Sequence, residues 1–242
     1  MTHRQLIAAI MVALAAGACT GGKGSGGDGT GTSGTPLSPS SNRNPAITSV
    51  SVTPTFGVSG LTNVSMSATA TDPDGDPLSY QWTFGGSSAS GPTANANLTG
   101  DGAVTVRLTV TDGRGGSATD ARDVTLGNMS GRWTFIFTGT CNPAVPTALP
   151  VLTLTQAGSV VTGDMASPAA WCNVPAGQTG RLDPAAPARI SATGAFTGAR
   201  LKVGSYLDTF LDGQMDSTGR VITGTTRTQS SNSTNTFRMV KQ

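Results

Sequence analysis

The sequence predicts an all-β protein of two folded units, a β-sandwich followed by an antiparallel meander that closes into a barrel of about eight strands. Three observations carry this. Apolar residues alternate with polar ones in short runs, as along Val104, Val106, Leu108 and Val110, the pattern of strands with one buried face. Clusters of Gly, Asp and Pro punctuate the runs at short intervals. Helix formers are scarce: all 13 acidic residues are Asp, Glu is absent, and Lys occurs only at Lys23, Lys202 and Lys241, while Thr, Val and Gly dominate.

The chain opens on a basic start (His3, Arg4), an apolar run from Leu6 to Ala16, and the small residues Gly17 and Ala18 before Cys19. This order resembles a bacterial lipoprotein signal, although Ala16 stands where Leu is usual. The resemblance implies a signal peptide over 1–18, acylation of Cys19, and a membrane partner reached through that anchor. The expected location is the cell envelope, at the outer membrane or cell surface. The apolar run is shorter than the roughly 20 residues of a membrane span. Residues 19–45, after the acylated Cys19, are Gly, Ser, Thr, Pro and Asn with almost nothing apolar, and read as a tether without a core.

The first folded unit is expected over 46–127. Val64, Met66, Ala68 and Ala70 alternate with polar residues, as do Leu78, Tyr80, Trp82 and Phe84. Turns fall at Asp72-Pro73-Asp74-Gly75-Asp76-Pro77, at Gly100-Asp101-Gly102, and from Asp112 to Gly116. The Asp-Pro-Asp-Gly-Asp turn, the Tyr80-Gln81-Trp82-Thr83-Phe84 strand and the Val110-Thr111-Asp112 strand end resemble PKD and cadherin-like modules. That resemblance implies an immunoglobulin-like sandwich with Trp82 in its core. Gly85-Gly86-Ser87 departs from the Gly-Asp-Gly of many members. Asp72, Asp74, Asp76 and Asp112 are candidate oxygen ligands for Ca²⁺ at one end of the sandwich; the competing reading is that Asp and Gly only build the turns. No other cofactor is expected.

The second unit is expected over 130–242, with strands near 132–138, 151–156, 160–165, 189–193, 200–206, 209–215, 221–227 and 236–240. Short separators such as Ala157-Gly158-Ser159 and Asp216-Ser217-Thr218-Gly219 favour neighbouring antiparallel strands. Gly131-Arg132-Trp133 and the repeated Thr-Gly and Asp-Gly steps resemble small calycin or lipocalin-type barrels. On that likeness Trp133 plugs the barrel. Eight strands leave room for filling side chains or for one small ligand, and inward Gly, Ala and Ser would favour a cavity. Cys141 and Cys172, outside the cytosol, are expected to form one disulfide. Its loop of about 31 residues would be worth roughly 3–4 kcal/mol in the chain-entropy model. It would pin a Pro-rich loop over one barrel end, with Trp171 beside it as a candidate ligand contact.

Function is bounded mainly by exclusion. The single histidine is His3, inside the leader, so the processed chain has no Ser-His-Asp triad and no His-ligated metal site. A formal charge of +2 is too small to argue for nucleic acid. Asp164, Asp208, Asp212 and Asp216 are available to a paired-carboxylate hydrolase, but Asp212 and Asp216 sit in turn-like contexts. The expectation is a non-catalytic binding or display module for a small ligand, a glycan or a protein. The alternatives are a structural envelope or adhesion protein, and a β-barrel protease inhibitor.

Overall fold

The computed structural model describes residues 41–138, 148–171, 174–228 and 234–242. Its described residues are strands, turns and loops, in seventeen strands. The sandwich is built from β1 (Ala46–Thr53), β2 (Phe56–Val58), β3 (Asn63–Thr71), β4 (Ser79–Phe84), β5 (Ser87–Ser90), β6 (Thr93–Asn97), β7 (Gly102–Thr111) and β8 (Ser117–Gly127). One sheet has the order β1-β3-β6 and the other β2-β8-β7-β4-β5. Alternation does what it predicts. Val64, Met66 and Ala68 on β3, Trp82 and Phe84 on β4, and Val106, Leu108 and Val110 on β7 all lie in one core. Trp82 is fully buried, and its indole N–H donates to the Gly91 carbonyl at 3.0 Å, which satisfies the one polar atom it takes inside.

The barrel comprises β9 (Gly131–Thr138), β10 (Val151–Ala157), β11 (Val160–Ser167), β12 (Gln178–Leu182), β13 (Ala188–Ile190), β14 (Ala195–Val203), β15 (Leu207–Met215), β16 (Val221–Thr228) and β17 (Thr234–Lys241). The sheet closes on itself through the β10–β11 pairing. β12 and β13 share one place in the ring, since both pair with β11 and with β14. Eight strand positions result. The expected strand near 189–193 is β13. β12 was not expected, because Gln178-Thr179-Gly180-Arg181-Leu182 has one large apolar residue and no alternation to read.

The barrel interior is filled. Trp133, Phe135, Phe196, Phe237, Leu152, Leu154, Met165, Leu211, Ile222 and Met239 share one buried cluster. Phe135 and Phe237 stack with centroids 5.7 Å apart. Inward small residues exist, yet they leave no hollow. Phe137, Phe237, Gly224, Gly213, Phe196 and Ile190 are successive cross-strand neighbours. A Cβ on Gly213 would lie 3.1 Å from Phe237 Cζ. Gly213 therefore makes room for the Phe237 ring, which reaches it from β17 across β16.

Sandwich and barrel meet along a packed seam within residues 41–242, which form one contact unit. Val58, fully buried, belongs to the barrel's cluster, with Phe56 and Leu61 packed against it. Thr62 Oγ1 donates to the Ala192 carbonyl at 2.6 Å. Lys241 Nζ bonds Asp101 Oδ2 at 2.6 Å and the Asn128 carbonyl at 2.7 Å. Gly127 and Gly219 touch closely enough that a Cβ on Gly219 would lie 2.6 Å from Gly127 Cα.

One expectation is corrected. Among the described residues no cysteine pair lies at disulfide distance, and Cys141 and Cys172 both lie outside them. Spacing in sequence says only that a loop would close, whereas a bridge needs Cα atoms within about 7 Å and converging Cβ vectors.

Candidate functional site

Two places gather chemistry. The first is the turn between β3 and β4. One carboxylate oxygen from each of Asp72, Asp74 and Asp76 lies within 4.8 Å of the others. The Asp-Pro-Asp-Gly-Asp sequence makes this possible, because Asp72 Oδ1 accepts the N–H groups of Asp74 (2.8 Å) and Asp76 (3.2 Å) and curls the loop around itself. Gly75 takes a left-handed φ of 79° at its apex. Arg43 grips Asp74 through its backbone N–H at 2.7 Å and Nε at 3.0 Å, and these bonds hold the Asp74 carboxyl below its ordinary range. Arg114 Nε lies 3.0 Å from Asp76 Oδ1. Asp72 Oδ2 and Asp76 Oδ2 are buried without a hydrogen-bond partner among the described residues, and the Asp76 side chain is 6% exposed. Buried carboxylate oxygens with no donor are costly to leave so.

The fourth candidate, Asp112, is not brought into this group. It is 3% exposed and accepts from Asn42 Nδ2 at 2.7 Å and from the N–H groups of Arg114 and Gly116 at 2.7 and 2.9 Å. The Asn42 bond and then those backbone bonds, against the cost of burial, lower its pKa from 3.8. Such a group stabilises the fold fully above its unfolded pKa, and the contribution is lost as pH falls through the lower folded value. Asp112→Asn should therefore flatten the fall in melting temperature below about pH 4. An acid limb of unchanged slope in the variant would contradict the assignment.

The second place is the outer face of the barrel across β10, β11, β12 and β14. An open groove of about 680 Å³ is lined by Thr153, Asp164, Thr179, Gly180, Arg181 and Lys202, among others. A smaller one of about 270 Å³ adjoins it, sharing Ala166 and Thr179 and adding Arg132 and Gln178. The pairing register aligns Arg132, Thr153, Asp164, Arg181 and Lys202 as consecutive cross-strand neighbours. Gly180 permits the close approach of β12 to β14, since a Cβ there would lie 2.6 Å from the Lys202 carbonyl oxygen. Lys202 Nζ is held 2.6 Å from Asp183 Oδ2, and that bond leads in lowering the Asp183 pKa. Arg200 binds Asp208 through two bonds of 2.8 and 2.7 Å. Tyr206, in the β14–β15 turn, is 47% exposed and stands beside Gly204 of the groove.

The remaining sequence candidates are spent on structure. Asp212 Oδ1 accepts the Gly198 N–H at 3.0 Å. Asp216 closes its turn by accepting from Thr218, Arg220 and Val221. Trp133 is fully buried and donates to the Met129 carbonyl at 2.8 Å. Trp171 is 4% exposed and packs edge-on against Phe135 and Phe137 at 5.8 and 6.1 Å. The leader and Cys19, on which the expected signal peptide and lipid anchor fall, lie outside the described residues. Sequence reasoning missed Arg181 and Tyr206. Arg181 sits on the unrecognised β12, and Tyr206 falls at the end of an expected strand with nothing to mark it as exposed.

The geometry defines an all-β protein with a sandwich joined to a closed, filled eight-stranded barrel and an open groove on the barrel's outside. Residues 42–126 match the family model described as the PKD domain, so the sandwich is a PKD-like domain. No curated protein matches the chain. One solved structure, from work on "the promiscuous specificity of the carbohydrate-binding modules from the beta-sandwich super family", aligns over 83% of this chain and 93% of that one. Its identity is 15% and its TM-score 0.34.

Proposed function

We propose that the protein is a non-catalytic binding module that takes its ligand in the groove on the outer face of β10, β11, β12 and β14. The observation that carries this reading is the contrast between a barrel packed with Trp133, Phe135, Phe196 and Phe237 and an exterior groove lined by charged and hydroxyl side chains. A filled interior offers a small molecule no room, so recognition falls to the surface. Thr153→Trp, on the exposed face of β10, places a large ring in the groove without touching the core. Wild type and variant are passed over immobilised acidic and neutral polysaccharides and a protein panel. Retention of the wild type and its loss in the variant is the expected result. Equal retention of both, or retention of neither, would sink the reading.

The Asp72, Asp74 and Asp76 oxygens suit a hard cation, and Ca²⁺ is the proposed occupant. A bound ion would give Asp72 Oδ2 and Asp76 Oδ2 the partner they lack in the protein. Millimolar Ca²⁺ should raise the melting temperature of the wild type through linkage and leave Asp76→Asn unmoved. Calorimetric titration with Ca²⁺ showing no heat and no thermal shift would remove the ion.

A further inference from the structure

The groove holds two charges that the protein does not neutralise. Arg181 and Asp164 are direct cross-strand neighbours, yet neither makes an ion pair or side-chain hydrogen bond with a described residue. Their neighbours are differently placed. Lys202 is tied to Asp183, and Arg200 to Asp208 and Asp183. The network leaves Arg181 as the exposed guanidinium in the groove, with Asp164 on one side and the half-exposed Lys202 on the other. Thr153 and Thr179 add hydroxyls, and the exposed Tyr206 ring stands at the Gly204 end.

Each part narrows the ligand. A free guanidinium matches a carboxylate in a bidentate pair. Asp164 accepts hydrogen bonds from hydroxyl groups and opposes a polyphosphate, whose charge it would repel. Four polar side chains in a row disfavour an apolar molecule, whose burial would strip them of water without replacing it. An exposed tyrosine offers a flat face with a polar rim. Strand spacing puts successive groups of the row about 5 Å apart, the scale on which a sugar ring spreads its substituents. We propose that the groove binds a carboxylate-bearing oligosaccharide: Arg181 takes the carboxylate, Asp164 and Thr153 take ring hydroxyls, and Tyr206 lies under a neighbouring ring. This rests on the binding-module reading above and adds the ligand class to it.

The test is calorimetric titration of the full chain with tetragalacturonate and with its methyl ester, which keeps the rings and their hydroxyls but removes the charge. The acid should bind about tenfold more tightly than the ester. Arg181→Gln should reduce the acid to the level of the ester and leave ester binding unchanged, with melting temperature retained because Arg181 is exposed. Tyr206→Ala should weaken both. Equal binding of acid and ester, or an equal loss of both in Arg181→Gln, overturns the carboxylate assignment while the groove reading stands. Binding of neither overturns the sugar-acid inference; the Thr153→Trp retention experiment then decides separately whether the groove binds anything.

Discussion

Replacing Phe237 by alanine should lower the unfolding free energy by about 3–5 kcal/mol, the usual cost of truncating a buried aromatic. The ring is 2% exposed, stacks on Phe135 at 5.7 Å and occupies the space that Gly213 leaves free. Gly213 and Gly224 bring no side chain to close the gap, and the barrel wall cannot collapse without breaking strand pairing. The variant should therefore carry a real cavity. Apolar cavities of this kind stay dry and admit small apolar molecules, so benzene should raise the variant's melting temperature and leave the wild type unchanged. Phe210 on the outer face, flanked by Arg200 and Arg227 at 5.5 and 5.7 Å, is the control; its alanine variant should lose far less. Denaturant unfolding checks both, and a loss below about 1 kcal/mol for Phe237→Ala would show that the interior is not packed as described.

Gly219→Ala should destabilise sandwich and barrel together, by about 2–4 kcal/mol. Two causes add. Gly219 has a φ of 72°, which a Cβ penalises. The new methyl would also lie 2.6 Å from Gly127 Cα and 3.0 Å from Gly127 N, both backbone atoms that cannot rotate away. Gly127 ends the last sandwich strand and Gly219 lies in the turn before β16, so the clash sits on the seam. Because Val58 is buried among barrel residues, amide exchange should accelerate in β7 and in β15 alike. Acceleration in β15 alone would mean that the two halves open independently. The same seam bears on the proposed domain boundary near residues 127–130. A chain beginning at Asn128 lacks Phe56, Val58 and Leu61, and leaves the barrel residues they cover in water.

The site was less legible than the fold, for physical reasons. Alternation along β7 or β10 shows that a strand has one buried face, and it shows this without reference to any other strand. It does not show which residue of the next strand lies opposite. Arg181 became a groove residue only because β12 pairs with β11 and β14 in one register. Asp72, Asp74 and Asp76 are close because one short turn carries all three, so the sequence alone placed them together. Asp112 was grouped with them by residue type, yet it is held in its own turn by Asn42 and two backbone donors. The cysteine pair misled for a similar reason: parity and compartment are properties of the chain, whereas bridging distance is a property of the fold.

By itself the sequence determined the all-β class, three strands of the sandwich and eight of the barrel, the burial of Trp82 and Trp133, the acidic loop, and the lack of histidine chemistry beyond His3. These follow from local rules: period-two patterning, turn residues with special backbone needs, and the presence or absence of a side-chain type. The tertiary structure alone decided whether the barrel was hollow. Inward glycines are equally consistent with a cavity and with a neighbour's ring, and the choice lies in the register that sets Phe237 against Gly224 and Phe137. It also decided that sandwich and barrel share a core at Val58, and that an outer row of charges stands beside an exposed tyrosine. Contacts between residues far apart in the chain depend on strand pairing and closure, which no single segment encodes.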